Sequence, residues 1–297
     1  MNRKALFMAL GCVLMWSTVA SAFKLTLALV NPLQMLWLAV ATSCVVLGMA
    51  AGWQGKLSLA MDYLCKSPGY FLLLSLLNPT LYYLILFAAY DQLPAQQAQA
   101  LNYTWAVVLS ILAVPFLGQS FTLRNGISVF IAYFGVLVIA IQGNLLTLHF
   151  QNPVGVLMAL GSSVFFASYW ILNTRQPRDA IASLLLCFTL SLPILTVLML
   201  WQEGFSAIPV EAIAGGIYIG IFEMSLAFLL WMNAMRLATN TAQLSNLVYL
   251  SPPLSLLLLA AIVGEPVMIS TIIGLILIIA GVLFQQIKSS TSAEKTS

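Results

Sequence analysis

Long apolar stretches separated by short polar breaks make up most of this chain. Each break carries proline, glycine, asparagine or a charged residue, and each stretch is close to the roughly 20 residues that a helix needs to cross a bilayer. The pattern predicts ten membrane-spanning helices, numbered spans 1 to 10. Their expected bounds are residues 5–28, 32–53, 68–89, 94–117, 122–142, 153–174, 180–201, 208–234, 240–263 and 269–288.

The composition is compatible only with a lipid environment. Of the 297 residues, 62% are apolar and 6% are charged, whereas soluble domains carry about 25% charged residues. Eleven Lys and Arg with eight Asp and Glu cannot cover the surface of a water-soluble fold of this length. We therefore expect an all-α integral membrane protein with short loops, whose function lies between its helices.

The residue inventory excludes most enzyme chemistry. His149 is the only histidine, and the four cysteines show no paired spacing, so no metal site or histidine-based triad can be assembled. A Walker motif is absent from the sequence, which argues against ATP coupling within the chain. The basic residues are scattered singly, which argues against nucleic acid as a partner. We expect no enzyme activity, no cofactor and no metal.

Positive charge is unevenly divided between alternate loops. From a cytoplasmic N-terminus, ten of the eleven Lys and Arg fall on the starting side, and only Lys24 lies near the other. Cytoplasmic loops of membrane proteins carry an excess of Lys and Arg. We therefore expect both termini to be cytoplasmic. A miscounted span would reverse every later loop, so the bias also supports ten spans.

The two halves of the chain repeat each other. Residues 8–11 (MALG) recur at 158–161, and further identities recur at an offset of 146. These identities are Ala88/Ala234, Gln97/Gln243, Leu101/Leu247, Tyr103/Tyr249, Gly118/Gly264 and Gly135/Gly281. We infer five-span repeats over 1–145 and 150–288, followed by a polar tail at 289–297. Because five is odd, the second repeat must be inverted, an arrangement typical of carriers with one alternately exposed site; otherwise the duplication only builds a stable bundle.

Two charged residues of the predicted spans, Glu223 and Lys24, are candidates for function. Glu223, midway along span 8, would cost roughly 2.5 to 3.5 kcal/mol at the bilayer centre, so it should face the protein interior. A carboxylate removed from water holds a proton more readily, so Glu223 is the candidate for proton coupling or for binding a substrate ammonium; otherwise it is a neutral helix contact. Lys24 either extends to the membrane interface, anchors a substrate carboxylate, or pairs with Glu223.

Span 4 begins with an unusual polar stripe. Gln99, Asn102 and Tyr103 are three or four residues apart and share one helix face. They either hydrogen-bond to neighbouring helices or line a wet cavity that binds substrate. Tyr103 and Trp105 are two residues apart and face different ways, so they should not both stand in the same pocket wall.

Other candidate substrate-binding residues are mid-span aromatics and residues near helix breaks. The aromatics are Trp16, Tyr82, Tyr169 and Tyr249. They either stack on a planar or apolar substrate or serve packing. Asn78, before Pro79, and Asn246 lie where helices are interrupted within the membrane, which frees carbonyl groups to bind a ligand or allows bending.

The chain resembles the drug/metabolite transporter superfamily, and within it the EamA-type carriers, along nearly its whole length. The motifs that carry the likeness are Trp16-Ser17-Thr18, LAFLLWMNAMRL at 226–237, Tyr249-Leu250-Ser251-Pro252, Gly264-Glu265-Pro266 and residues 274–281. The resemblance implies a central cavity lined by spans 1 to 4 and 6 to 9, with spans 5 and 10 at the periphery.

A narrower likeness is to bacterial aromatic amino-acid exporters. It is carried by residues 102–105 (NYTW) and by Gly118-Gln119, whereas Ala106 replaces a proline and Gln119 a glutamate that those exporters tend to carry. The resemblance implies a secondary transporter in the bacterial inner membrane that exports small organic metabolites, above all amino acids.

The sequence leaves several alternatives open. A proton-independent facilitator or exchanger is the alternative within the class. A non-transporting receptor or structural membrane protein is the alternative outside it, and would bind without flux. The expected partners are a small-molecule substrate, the lipid bilayer and protons, with the chain a monomer or a homodimer.

Overall fold

A computed structural model describes residues 3–118, 123–141, 152–175, 178–202, 208–237 and 246–286, and within these ranges all regular secondary structure is helical. The main helices are α1 (Arg3–Leu27), α2 (Pro32–Trp53), α3 (Pro68–Gln92), α4 (Ala95–Leu117), α5 (Leu123–Ala140), α6 (Pro153–Arg175), α7 (Ala180–Gln202), α8 (210–237), α9 (246–263) and α10 (Ile269–Gln286). A connecting helix, Leu57–Lys66, lies between α2 and α3. The repeat boundary at 145–150 and the tail at 289–297 lie outside the described residues.

Every predicted span is occupied by one of these helices. Seven helices within the described ranges are long and apolar enough to cross a membrane. The apolar helices Gly126–Ile139, Ser251–Val263 and Ile269–Gly281 are shorter. The connecting helix was not predicted, because its ten residues form only a short amphipathic segment between two long apolar stretches. The protein is a multi-pass integral membrane protein.

The outer surface of the bundle carries large apolar side chains. Phe7 is 72% exposed, Leu157 68% and Val197 65%. Polar side chains such as Ser43, Asn78 and many others are buried instead. This distribution suits a protein whose outer solvent is lipid, because exposed apolar area on this scale is not found on soluble monomers.

Local sequence signals set the ends of the helices. Asn31 begins α2 with a capping box, in which its Oδ1 accepts from Gln34 N at 2.9 Å while its own N–H donates to Gln34 Oε1 at 3.2 Å. Gly118 ends α4 and Gly264 ends α9 with left-handed φ values of 67° and 76°. Glycine adopts this conformation without the steric penalty of a Cβ atom.

The helices form two groups of three around the centre of the bundle. Helices α3, α4 and α6 pack together as one group, and α1, α8 and α9 as the other. Helix α2 packs on α7 and α8, and α7 also packs on α3. The two groups face each other, so whatever lies between them is lined by both halves of the chain.

Helices α5 and α10 pack tightly against each other through glycine. A Cβ atom built on Gly135 would lie 2.5 Å from the Gly274 carbonyl oxygen, and one built on Gly281 would lie 2.7 Å from the Ser128 carbonyl oxygen. Ser128, early in α5, contacts Gly281, late in α10, whereas the later residue Gly135 contacts the earlier residue Gly274. The two helices therefore run antiparallel. The small residues near Gly274 and Gly281 therefore pack helices within one subunit.

This contact predicts a strong effect of adding one methyl group. Gly135→Ala should lower the free energy of unfolding by about 1–3 kcal/mol, because overpacking forces two backbones apart. We expect a lower midpoint of thermal unfolding in detergent.

The matched control is Gly48→Ala on α2, where an added Cβ meets nothing within 4 Å. It should be neutral or stabilising by up to about 1 kcal/mol, because alanine favours helix more than glycine. Equal melting midpoints for the two variants would contradict the glycine-mediated contact.

Candidate functional site

A cavity of about 70 Å³ lies between the two helix groups. That volume accommodates several water molecules. Its lining draws on all six helices of the two groups. The lining residues are Trp16, Val19, Phe23, Tyr82, Leu86, Tyr90, Gln99, Asn102, Tyr103, Trp105, Phe166, Glu223, Phe228 and Val248. Within the described lining, spans 2 and 7 contribute no residue, although the resemblance implied that they would.

Glu223 lies in the wall of this cavity, on a π-helical segment of α8, Ile219–Ala227. It is 8% exposed. The hydroxyl of Tyr83 on α3 donates to its Oε1 at 2.9 Å. Its Oε2 is buried and has no hydrogen-bond partner among the described residues. One carboxylate oxygen is thus held by the opposite helix group, while the other is available to a proton or to a ligand.

Polar side chains of the first helix group form a network beside the cavity. The amide of Asn102 donates to Ser162 Oγ at 3.0 Å and accepts from the Tyr82 hydroxyl at 3.3 Å. The network therefore joins α3, α4 and α6 and holds two cavity-lining side chains in fixed positions. The sequence suggested that Asn102 either lines a cavity or hydrogen-bonds to neighbouring helices. In the structure it does both.

Helix α4 is interrupted beside the cavity, which changes the directions of its side chains. The regular helix stops at Asn102 and resumes at Trp105. Thr104 Oγ1 lies 3.0 Å from Ser163 Oγ of α6 and donates to the Leu101 carbonyl at 2.7 Å. Tyr103 and Trp105 both line the cavity. Their spacing predicted that the two side chains face different directions, yet both reach the same cavity, beside the break in the regular helix at 103–104.

Aromatic side chains of the two helix groups contact each other at two places beside the cavity. On one side, Phe23 of α1 packs on Phe87 and Tyr90 of α3, with ring centroids 4.7 and 5.3 Å apart. On the other, Phe228 of α8 packs on Phe166 and Trp170 of α6 at 6.4 and 6.3 Å. These ring contacts join the two helix groups beside the cavity.

Hydrogen bonds also join the groups at the end of the bundle that carries the turns 93–94 and 264–268, here called the Glu265 end. The Glu265 carboxylate accepts from the backbone N–H of Ala95 at 3.0 Å and of Gln96 at 3.4 Å. The Gln96 side chain donates to the Pro266 carbonyl at 2.6 Å and accepts from Met268 N at 3.0 Å. The start of α4 is therefore fastened to the turn that follows α9.

Lys24 lies at this same end and contacts backbone rather than the cavity. Its Nζ donates to the carbonyl oxygens of Tyr90 at 3.1 Å and Leu93 at 3.2 Å. A cation placed on the last carbonyls of a helix is favourable because the helix dipole is negative there. In this conformation the side chain connects α1 to the end of α3, and it neither lines the cavity nor forms an ion pair with Glu223.

This placement predicts a conformational role for Lys24. Lys24→Met should lower the free energy of unfolding by about 1–3 kcal/mol, because two hydrogen bonds from a charged donor are lost. Thermal unfolding in detergent measures the effect. Lys24→Arg, which keeps the charge and the donors, is the control and should retain most of the stability. Loss of solute binding without loss of stability would instead assign Lys24 to substrate.

Asn78 and Tyr169 lie together, away from the cavity lining. Asn78 is fully buried at the break in α3, with non-helical φ −149° and ψ 119°. Its side chain lies beside the hydroxyl of Tyr169 on α6. Tyr169 also packs on Trp170, with ring centroids 5.9 Å apart. Neither residue lines the cavity. Both would contact a substrate only in a conformation whose binding site extends beyond this cavity.

The remaining candidates from the sequence divide into two sets. Trp16, Tyr82, Gln99, Asn102, Tyr103 and Glu223 line the cavity. The side chains of Asn246 and Tyr249 lie outside the part of the chain that the structure describes. Sequence reasoning missed Phe23, Tyr90, Phe166 and Phe228, because phenylalanine and tyrosine are common throughout apolar spans and only the packing distinguishes those that face the centre.

The fold is shared with solved structures. A crystal structure with 20% sequence identity superposes with a TM-score of 0.67 and covers 96% of this chain and 97% of its own. At that identity the likeness concerns the fold alone.

Curated relatives are transporters by name. The chain is 27% identical to the uncharacterized transporter YvbV of Bacillus subtilis (strain 168), over 74% of this chain and 72% of that protein. It is 25% identical to the uncharacterized transporter YyaM of the same organism, over 60% and 59%. It is 26% identical to a probable terminal-alkyne amino-acid exporter of Streptantibioticus cattleyicolor, over 64% and 63%.

A family profile covers nearly the whole chain. The profile is that of the EamA-like transporter family, which lies within the drug/metabolite transporter superfamily. It matches residues 3–141 and again residues 153–285. Members of this family are transporters, not enzymes. Because this profile matches both halves of the chain and together covers nearly all of it, the chain belongs to the EamA-like transporter family.

Proposed function

We propose that this protein is a secondary carrier that moves small organic metabolites by exposing one central site alternately to the two sides of the membrane. The observation that carries the proposal is the cavity between two three-helix groups, with Glu223 in its wall. A site that both groups share opens to one side when the groups separate at that end and remain joined at the other.

Internal symmetry supports ten spans arranged as two inverted five-helix repeats, 1–145 and 150–288. The family profile matches the chain twice in succession. The left-handed glycines that end α4 and α9 are 146 residues apart, as are Gly135 and Gly281. The same offset relates two contacts between α5 and α10. Gly135 contacts Gly274, and the positions 146 residues away from these two, Gly281 and Ser128, also contact each other. An inverted repeat produces such reciprocal contacts across its two-fold axis.

The distribution of positive charge supports an orientation in the bacterial inner membrane with both termini cytoplasmic. Lys24 is then the one basic residue near the outer surface. The Glu265 end faces outward, and the described conformation is fastened on the outer side. Opening toward the outside then requires that the hydrogen bonds of Glu265, Gln96 and Lys24 break.

Amino acids, exported from the cell, are the first substrate class to test. The support is one relative, the probable terminal-alkyne amino-acid exporter, at 26% identity. The cavity adds hydrogen-bonding groups on Gln99 and Asn102 among aromatic walls, which suits a small molecule with polar and apolar parts. All six lining helices belong to one subunit, so a single chain forms the site, and the chain acts as a monomer or as a homodimer of such subunits.

Proton coupling is assigned to Glu223. A carboxyl group that alternates between a buried position and one open to bulk water exchanges its proton as the access changes. The alternative within the class is a facilitator or exchanger without proton coupling. A receptor or structural protein is the alternative outside the class.

Purified protein in vesicles separates these functions. We expect vesicles containing the protein to take up at least one labelled amino acid faster than protein-free vesicles, and an imposed pH gradient to accelerate uptake. Uptake without a response to the gradient would favour the facilitator or exchanger. Saturable binding with no flux for any solute would contradict the carrier.

A further inference from the structure

The described side chains that line the cavity carry charge of one sign, negative. Within the described lining, Glu223 is the only aspartate, glutamate, lysine, arginine or histidine. Lys24, which follows the lining residue Phe23 in the sequence, donates to the backbone carbonyls of Tyr90 and Leu93 instead. The cavity thus presents one acidic side chain to a ligand and no basic one.

Two acceptor atoms of the lining lack partners. Glu223 Oε2 and Gln99 Oε1 are both buried without a hydrogen bond among the described residues. Glu223 is 8% exposed and Gln99 6%. A buried acceptor without a donor is costly, and these two belong to opposite helix groups that face the same cavity. Both would be satisfied by a ligand that supplies several N–H donors.

Aromatic rings make up much of the remaining wall. Trp16, Tyr82, Tyr103, Phe166 and Phe228 are among the lining residues. The face of an aromatic ring carries negative electrostatic potential, so it attracts a cation, most strongly when water is excluded. The same rings provide apolar contact for a carbon skeleton.

We propose that the cavity recognises its substrate by a protonated amino group, bound between Glu223 Oε2 and Gln99 Oε1, and that it prefers amines with an apolar or aromatic body and no free carboxylate. An ammonium group has three donors and no acceptor, which matches the two orphan acceptors. The inference rests on the proposed carrier function and narrows its substrate class to amines, amino-acid amides and amino-acid esters ahead of free amino acids.

A free carboxylate on the substrate would be the unfavourable part. In this cavity it would lie near Glu223, a like charge, with only neutral donors available to it. An amine that lacks the carboxylate avoids this penalty. The ranking of ligands by charge therefore follows from the lining.

The test uses three ligands that share a phenyl ring and a two-carbon linker: phenethylamine, phenylalanine and 3-phenylpropanoate. At pH 7 they are a cation, a zwitterion and an anion. Competition against tritiated phenethylamine on the purified full-length protein in detergent avoids passive leakage of the neutral amine. We expect phenethylamine to bind about tenfold or more tightly than phenylalanine, and 3-phenylpropanoate to bind weakest.

Variants connect the preference to the cavity. Glu223→Gln should reduce phenethylamine affinity about tenfold or more and bring the affinities of the three ligands together. Glu211→Gln, at an exposed position in the first turn of α8, is the matched control and should keep the wild-type ranking. Should Glu223→Gln elute as unfolded protein, Glu223→Asp, which keeps the charge, and Gln99→Leu, which removes the second acceptor, provide the same comparison.

Each outcome decides between the two proposals. No binding of phenethylamine, or phenylalanine binding as tightly, overturns the amine preference; if labelled amino acids still accumulate in vesicles, the carrier function stands. Tight phenethylamine binding that depends on Glu223, with no flux of any solute, keeps the amine site and overturns the carrier.

Discussion

Vesicles containing Glu223→Gln protein should no longer respond to a pH gradient. Glutamine keeps the size of the side chain and its carbonyl oxygen can still accept the Tyr83 hydroxyl hydrogen bond found at 2.9 Å. It cannot release or bind a proton in the accessible pH range. The substitution therefore removes the proposed coupling group while preserving the surrounding contacts.

The expected size of this effect follows from the driving force. A gradient of one pH unit corresponds to about 1.4 kcal/mol, enough for about tenfold accumulation of a solute exchanged for one proton. The wild-type protein should approach that accumulation, whereas Glu223→Gln should only equilibrate the solute. Time courses of labelled amino-acid uptake, with and without the gradient, measure both.

Glu211→Gln serves as the control, because it removes a carboxylate at an exposed position of the same helix. It should retain the full response to the gradient. Melting midpoints within a few degrees of wild type would show that both variants are folded. A Glu223→Gln protein that still accumulates solute in response to pH would remove Glu223 from the coupling role.

Replacing Glu265 by alanine should shift the protein toward opening at the Glu265 end. The substitution removes the acceptor of two backbone N–H groups at the start of α4. Losing a helix cap costs about 1 kcal/mol, which changes the ratio of two conformations about fivefold. Because this cap joins the two helix groups, its loss should destabilise the closed arrangement at this end.

Access to the cavity can be measured with a single cysteine. The four cysteines are Cys12, Cys44, Cys65 and Cys187. In a background that lacks them, Leu86→Cys places a thiol in the cavity lining. A membrane-impermeant thiol reagent added on the Glu265 side should modify it about fivefold faster in the Glu265→Ala background.

Glu211→Ala is again the matched control, since Glu211 lies at an exposed position in the first turn of α8. It should leave the modification rate unchanged. Gln96→Leu, which removes the reciprocal contacts with Pro266 and Met268, should act in the same direction as Glu265→Ala. Slower modification in Glu265→Ala would contradict a closing role for this carboxylate.

The sequence predicted the helices well because their signal is local. An apolar stretch of sufficient length must become a helix in lipid, where each backbone N–H and C=O group has to be satisfied within the segment. The predicted start of span 7 at 180 and of span 10 at 269 coincide with the observed helix starts. The connecting helix at 57–66 escaped prediction because a short amphipathic segment has no such requirement.

Glu223 was also accessible to sequence reasoning. A carboxylate in the middle of an apolar span is too costly in lipid to face outward, so its interior location followed from its position alone. The interior location of Gln99 and Asn102 in span 4 was predictable for the same reason, because polar groups in apolar surroundings require hydrogen-bond partners.

What the sequence by itself determined is therefore the solvent of the chain, the places where it crosses from polar to apolar surroundings, and the few polar groups that must face inward. Only the tertiary structure decided which aromatic rings meet at the centre, that Lys24 binds helix carbonyls instead of the cavity, and that Tyr103 and Trp105, on either side of the break at Thr104, line the same cavity. The reason is physical: burial cost depends on a residue and its immediate neighbours, whereas direction and partnership depend on how distant helices pack, and one interruption of a helix rotates every side chain beyond it.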